Sequence, residues 1–396
     1  MKILFFVPSY GKGGAATTQH WTELSEHLSK DHDVTVVTSS SASFVLSLNG
    51  RTEAGVALIK VGYRFLPHIA NKHVREALLW FFMLLKSLSI PEKYDVVICV
   101  DTPRFSSFFA LIRKIRDNSM AVMWAMDLTL EQVVKRSKKS AFLKITQFLN
   151  WLYYHSLSLC DKVVVLGGCM QELMHSRGIN ESRMEIIGPW QDDKAGNCAV
   201  NSSVARNAQG MPDLFTVTYR GFAGAWHDFD IILESIPDCL ARYPIQFVFA
   251  GQGPGIDRVA IAKSQNDWER VLFEDLVPSA ELGDIPYCGD VHLVSLKQNM
   301  LGTCVPSKAY GAMAYGRTIL FIGPEECQVA RDILLTDAGM VVQTKEDFIR
   351  AIGTLYCDRK SLENCNRNAR AAFLKKHCSS VLFQQWDELL EVIAGA

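Results

Sequence analysis

The sequence predicts an α/β protein made of two tandem doubly wound domains, each with a parallel sheet. Three observations lead there. Apolar runs of strand length alternate with helical patterns along the whole chain, which is the order of βαβ units. The runs are continuously apolar rather than alternating, as in strands covered on both faces. A polar stretch at 191–213, rich in Asn, Ser, Ala and Gly, separates a first series of such runs from a second. At 396 residues the chain has the length of two domains.

The first series opens with Lys2-Ile3-Leu4-Phe5-Phe6-Val7-Pro8, a buried-type strand that ends in Ser9-Tyr10-Gly11-Lys12-Gly13-Gly14. A helix is expected over 15–30, with Trp21, Leu24 and Leu28 on its apolar face, and a strand over 33–38. Further strands are expected at 94–100, 121–126, 162–166 and 184–187. The second series places strands at 215–219, 245–250, 270–273, 291–296, 318–322 and 340–342. Ligands in doubly wound sheets bind beyond the carboxyl ends of the strands, and two such domains suggest a cleft between them.

Composition narrows the function. Hydrophobic residues make up 48% and charged residues 21%, normal for a folded globular enzyme. A net charge of -1 gives no basic field that would attract nucleic acid. The 11 cysteines are scattered, none spaced C-x-x-C, and most lie in apolar segments. That fits buried, reduced thiols of a cytoplasmic protein rather than a zinc site. The N-terminus has no signal-peptide pattern. The longest apolar run, 77–85, stops at Lys86 and is too short to span a bilayer.

One stretch concentrates the chemistry: Gly302-Thr303-Cys304-Val305-Pro306-Ser307-Lys308-Ala309-Tyr310-Gly311-Ala312-Met313-Ala314-Tyr315-Gly316-Arg317. Pro306 suits the first position of a helix. Ser307 and Lys308 would then occupy a first turn whose exposed N–H groups favour an anion. A lysine beside such a seat suits a diphosphate; an ordinary capped helix is the plain alternative. Gly13-Gly14 permits close approach of a ligand to the backbone, or marks a tight turn only. It is no dinucleotide fingerprint, because Thr38-Ser39-Ser40 stands where an acidic residue would. Tyr219-Arg220-Gly221-Phe222-Ala223-Gly224-Ala225-Trp226-His227-Asp228 offers one cation and one titratable imidazole, His227 being otherwise a solvated loop residue. Ala250-Gly251-Gln252-Gly253-Pro254-Gly255 is another strand-end turn. Asp127 follows a strand, either as a site carboxylate or as a helix N-cap. The basic cluster Lys135-Arg136-Ser137-Lys138-Lys139 precedes an aromatic helix at 142–154. A helix packed in its own domain with a solvated charged end is the favoured reading there; peripheral contact with a membrane surface is the other.

Together these pieces resemble glycosyltransferase family 4 of the GT-B fold, in its WcaI-like bacterial polysaccharide subgroup. The resemblance rests on Gly13-Gly14, Trp124-Ala125-Met126-Asp127-Leu128 and Ile186-Ile187-Gly188-Pro189-Trp190-Gln191-Asp192. In the second half it rests on 219–224, on Phe249-Ala250-Gly251-Gln252-Gly253, and above all on Val305-Pro306-Ser307-Lys308 with Ala314-Tyr315-Gly316-Arg317. It implies retaining transfer of a sugar from a nucleotide diphosphate-sugar, with no cofactor and no required metal. The donor would lie against the second domain, on Gly224, Gly251, Gly253, Thr303, Cys304, Val305, Ser307 and Gln328, with Gly13 and Gly14 approaching from the first. Lys308, Arg220, His227 and Asp127 would form the catalytic set, with Lys308 neutralising the diphosphate. Base contacts are implied near 273–278 and acceptor loops near 62–71.

The pattern also departs from the family. Two glutamates usual around this helix fall here at Thr303 and Gly311, the usual lysine of the 219–228 loop at His227, and another glutamate at Gln328. The expected domains are 1–195 for the acceptor, 196–378 for the donor, and 379–396 as a C-terminal helix returning to the first. The expected partners are a nucleotide-sugar donor and a glycan, lipid-linked or small-molecule acceptor, without nucleic acid. The departures motivate one rival, a catalytically impaired GT-B protein that binds or activates a partner enzyme. A second rival is an epimerase acting on the nucleotide sugar itself.

Overall fold

The computed structural model describes residues 1–11, 16–39, 50–62, 66–136, 140–193, 214–274 and 289–395. Gly13, Gly14, residues 137–139 of the basic cluster, most of the 191–213 stretch, and parts of the 62–71 and 273–278 segments lie outside them. The chain forms two compact units. One comprises Met1–Gly188, Gly302–Cys304 and Phe383–Ala396, the other Pro189–Leu301 and Val305–Leu382. Among the described residues no helix is long and apolar enough to cross a membrane.

The first unit runs β1 (Lys2–Val7), α1 (Ala16–Leu28), β2 (Asp33–Thr38), β3 (Ala57–Lys60), α2 (Lys72–Ser89), β4 (Val96–Val100), α3 (Ser107–Asp117), β5 (Met120–Ala125), α4 (Thr129–Arg136), α5 (Ser140–Ser158), β6 (Lys162–Val165), α6 (Gly168–Ser176) and β7 (Met184–Ile186). Its sheet has the order β3-β2-β1-β4-β5-β6-β7, every pair parallel. β1, β4 and β5 are buried almost throughout, as their unbroken apolar sequences require. Strand β3 was not anticipated. It is a four-residue edge strand, mostly half-buried, and so carries little apolar signal. Leu79 and Met83 of α2, Phe109 of α3 and Tyr153 and Leu157 of α5 pack in one core with Phe6, Val97 and Met123 of the sheet.

The second unit runs β8 (Phe215–Phe222), α7 (Asp230–Arg242), β9 (Ile245–Gln252), α8 (Pro254–Asn266), β10 (Val271–Glu274), β11 (Val291–Ser295), α9 (Lys308–Ala314), β12 (Thr318–Ile322), α10 (Gln328–Thr336), β13 (Gly339–Val342), α11 (Lys345–Cys357) and α12 (Arg359–Lys376), and α13 (Ser379–Ala394) follows it in the chain. Its order is β10-β9-β8-β11-β12-β13, again all parallel. In both sheets the strand order reverses once, between β1 and β4 and between β8 and β11. Gly316 closes α9 in the left-handed region, φ 60°. Gly316 N–H donates to the Met313 carbonyl at 2.9 Å and Arg317 N–H to that of Ala312 at 3.0 Å, the paired bonds of a glycine helix stop.

Most of α13 belongs to the first unit. Trp386 is fully buried there, its ring 4.9 Å from that of Trp124 and edge-on at 66°. On the same helix Asp387 meets the His27 imidazole at 2.8 Å. Truncating Trp386 removes the anchor from a site closed on all sides. We expect Trp386→Ala to cost about 3–5 kcal/mol in urea unfolding, with Asp387→Ala within about 1 kcal/mol of the parent.

Candidate functional site

In the second unit the site grows from a parting of two strands. β8 and β11 pair only at Val217↔Val291 and Thr218↔His292. Beyond that, β8 continues alongside β9 as far as Phe222↔Gln252, while β11 continues alongside β12 as far as Ser295↔Ile322. The carboxyl ends of β8 and β11 thus separate at the switch point, where open parallel sheets take ligands. Arg220 and Tyr219 come from β8, His292 and Ser295 from β11, His227 from the loop after β8, and Lys308 from the start of α9.

His227 is the hinge of this group. It is 4% exposed, its Nδ1 lies 2.6 Å from the Ser295 carbonyl, and its Nε2 lies 3.3 Å from Lys308 Nζ. A carbonyl only accepts and an ammonium only donates. The proton therefore sits on Nδ1, and the Nε2 lone pair accepts from Lys308. Burial, and next the Lys308 charge, push the His227 pKa down to about 3. His227 is thus no solvated loop residue but a buried, neutral acceptor that aims Lys308. The Lys308 ammonium also stands 5.8 Å over the Tyr219 ring, which packs edge-on against His227.

Arg220 supplies the second positive charge. Its Nη2 is buried, with no hydrogen-bond partner among the described residues. Burial raises the Glu274 pKa, and the Arg220 charge acts to lower it. His292, buried on β11, is held neutral with a pKa of about 3 by burial and then by Arg220 and Lys308. Two cations thus bear on one imidazole, and the local field favours an anion.

The strand-end glycines fit this crowding. Gly221 has φ 109°, and a Cβ there would lie 2.9 Å from Lys308 Cε. A Cβ at Gly251 would lie 2.1 Å from the Gly221 carbonyl oxygen, a backbone atom that has nowhere to go. Gly224 lies under the Trp226 ring and Gly253 beside the Ala223 carbonyl.

The remaining expected residues divide. Helix α9 has only seven residues and begins at Lys308; Ser307 precedes it and makes no side-chain capping bond. Pro306 and Ser307 therefore stand before the helix rather than in its first turn. The peptide of Val305 belongs to the second unit, whereas Thr303 and Cys304 belong to the first. There the Thr303 carbonyl accepts from Leu128 N–H at 2.8 Å, and Cys304 forms an antiparallel bridge with Asp127. Gln328 starts α10 and donates to Asp332 at 3.0 Å; Asp332 also accepts from the Tyr310 hydroxyl at 2.8 Å. Gly311 is buried inside α9, so no side chain frames the site from that position.

In the first unit the sequence reading passed over Asp101, at the end of β4. Its carboxylate accepts from the N–H of Met126, from that of Asp127 at 2.7 Å and from the Tyr153 hydroxyl at 2.8 Å. Burial lifts its pKa to about 7 against these three donors. Asp101 thereby fixes the backbone that carries Asp127. Its signal in the sequence was only an acid ending an apolar strand. His292, an imidazole inside an apolar strand, and Ser295, which acts through its carbonyl, were likewise passed over. Among the described residues no group of three or more His, Cys, Asp or Glu side chains stands ready to hold a metal ion.

Residues 13–194 match the profile of glycosyltransferase family 4. The match covers most of the first unit. A probable glycosyltransferase, WbjE of Pseudomonas aeruginosa, is 26% identical over 264 residues, 65% of this chain and 65% of its own length. The match therefore spans just under two thirds of that relative. Sucrose-phosphate synthase of Thermosynechococcus elongatus superposes with a TM-score of 0.75 at 14% identity, covering 100% of both chains. HepE of Anabaena, in complex with UDP-glucose, gives 0.72 at 14% identity, covering 99% of this chain and 100% of its own. At these identities the structural matches establish the fold, two Rossmann-like domains of GT-B type.

The neutral histidines make acid stability a test of the geometry. A histidine with its pKa held near 3 in the fold and 6.5 when unfolded takes up its proton preferentially in the unfolded chain. Its contribution is intact above pH 6.5 and is lost as the pH falls toward 3. We expect the stability advantage of the parent over His227→Gln to shrink steadily across that window in urea unfolding. An advantage independent of pH contradicts the buried neutral imidazole.

Proposed function

We propose that this protein is a retaining glycosyltransferase that moves a sugar from a nucleotide diphosphate-sugar to a lipid-linked glycan, polysaccharide or natural-product acceptor. The observation that carries the reading is the pair Arg220 and Lys308 at the β8–β11 parting, one with a buried nitrogen awaiting an acceptor among the described residues. A diphosphate supplies oxygens to both. The family 4 match and the likeness to a fold seen holding UDP-glucose support the same donor class. Retention is assigned from the family resemblance.

The chemistry asked of these residues is electrostatic. As the glycosidic bond to the diphosphate breaks, negative charge grows on the leaving oxygens. Lys308, pre-aimed by the His227 lone pair, and Arg220 meet that charge without reorganising. Gly221, Gly224, Gly251 and Gly253 keep the strand ends free of side chains, so the backbone offers its N–H groups at close range. Thr303, Cys304, Val305 and Ser307 border Lys308 in sequence and are assigned to the donor. Gly13 and Gly14 keep their expected donor role, and Asp127, on the peptide held by Asp101, keeps its expected place in the catalytic set. No metal ion or other cofactor enters this mechanism. The protein would work in the cytoplasm, with its donor.

The rival of an impaired, partner-binding protein draws on Gln328, turned to Asp332, and Gly311, enclosed in α9, where the family pattern has carboxylates. Turnover decides between them. The purified protein is incubated with UDP-, GDP- and TDP-sugars, with and without a lipid extract, and nucleoside diphosphate release is followed. We expect acceptor-dependent release with one donor, and a fall of roughly 10²-fold or more for Lys308→Ala. Binding of nucleotide sugars without turnover across the panel favours the rival, release without any acceptor favours the epimerase or a hydrolase, and an intact Lys308→Ala removes the proposed diphosphate seat.

A further inference from the structure

Helices α2 and α5 of the first unit turn apolar side chains outward. On α2 the exposed residues Val74, Phe81, Leu85 and Leu88 follow one another at helical spacing. On α5 Phe148 and Trp151 are 60% and 59% exposed, with Ile145 beside them. Phe148, Trp151 and His155 form a continuous stack, with ring centroids 5.9 Å and 5.5 Å apart. With Leu79, Met83, Tyr153 and Leu157 buried on the inner side, these helices are apolar on two faces, unlike a helix that covers a core and meets water.

The charges on these helices are mostly positive. Within α2 and α5 the single carboxylate is Glu76, and it pairs with Arg104 at 3.3 Å. Arg75 and Lys144 are exposed on them, and Arg136 is exposed at the end of α4. Lysine and arginine around exposed aromatic rings match an anionic, half-apolar surface rather than water.

Between these helices lies a cavity of about 410 Å³, within the size range of small-ligand sites. Ala77 and Trp80 of α2, Phe105 and Phe108, and Leu149 and Leu152 of α5 line it, together with the paired Glu76 and Arg104. Phe105 holds φ 62°, a left-handed conformation unfavourable for an aromatic residue. Strained residues of this kind cluster at ligand clamps. Its carbonyl accepts from Trp80 Nε1 at 3.4 Å, and its ring stands edge-on to Tyr153, the residue that donates to Asp101. The cavity wall thus leads through Tyr153 to the carboxyl end of β4.

We propose that α2 and α5 rest on an anionic lipid bilayer and that this cavity receives the hydrocarbon chain of the membrane lipid that carries the acceptor. The identity of the occupant rests on the acceptor reading above; the bilayer contact does not.

Flotation of the full-length protein with phosphatidylcholine vesicles, with and without phosphatidylglycerol, tests the contact. We expect binding to the anionic vesicles only, weakened about tenfold by each of Phe148→Ser and Trp151→Ser, both exposed positions that leave the core intact. Lys144→Glu weakens it further, and added salt does the same. Ala77→Phe, which fills the cavity, leaves flotation unchanged and raises the KM for a lipid-linked acceptor, with release of nucleoside diphosphate to a short soluble acceptor intact. Failure to float, with donor turnover retained, overturns this inference alone. Flotation without turnover of any donor overturns the transferase reading and leaves the bilayer contact standing. Dimerisation abolished by Trp151→Ser, in place of flotation, assigns the face to a second copy and overturns the proposal. An unchanged KM in Ala77→Phe removes the cavity from it.

Discussion

The parting of β8 from β11 after two paired residues is the constraint on which the second unit's chemistry depends. Were the two strands zipped to their ends, Arg220 would be enclosed by a continuous sheet and the Ser295 carbonyl committed to a ladder bond. Because they separate, Ser295 is free to accept from His227, and His227 is free to accept from Lys308. The reversal of strand order at this point is what lets them separate, since each strand follows its outer neighbour.

The fold was legible because it is written in long apolar runs. All six strands of the second sheet and six of the seven in the first fall on the expected segments, and the central ones are runs of Val, Ile, Leu and Phe whose burial on both faces leaves little choice of structure. Strand β3 escaped because an edge strand of four mostly half-buried residues needs no such run. The site was legible in its residues but not in its electrostatics. Arg220, His227 and Lys308 were each visible as charged or titratable groups next to glycines. Nothing in their spacing reveals that 81 positions of chain bring Lys308 to the lone pair of His227, or that burial strips the imidazole of its charge.

Both units place an ionisable group at the carboxyl end of a switch-point strand, and burial disfavours the charged form in each. The outcomes differ because the partners differ. Asp101 faces three donors, which favour the carboxylate, yet burial still lifts its pKa to about 7. His227 faces a carbonyl that favours its proton and an ammonium that opposes it, and burial decides for the neutral form. Asp101 serves the backbone around Asp127, while His227 serves a side chain. Each is a positioning group rather than a charge offered to a ligand.

The reading of the 302–317 stretch changes accordingly. A seven-residue helix has two turns, too few to build a full macrodipole at its first N–H groups, and Ser307 contributes no cap. On the proposed reading the anion seat then rests on the side chain that begins the helix rather than on the helix itself. A lysine alone is a mobile point charge with several rotatable bonds. Here its aliphatic stem lies against Gly221, where a Cβ would collide with Cε, and its ammonium is tethered by Nε2 of His227 and placed over Tyr219. Where the resemblance expects a lysine, His227 removes one cation and immobilises another, and on the proposed reading the charge offered to a diphosphate is fixed by packing instead of by number.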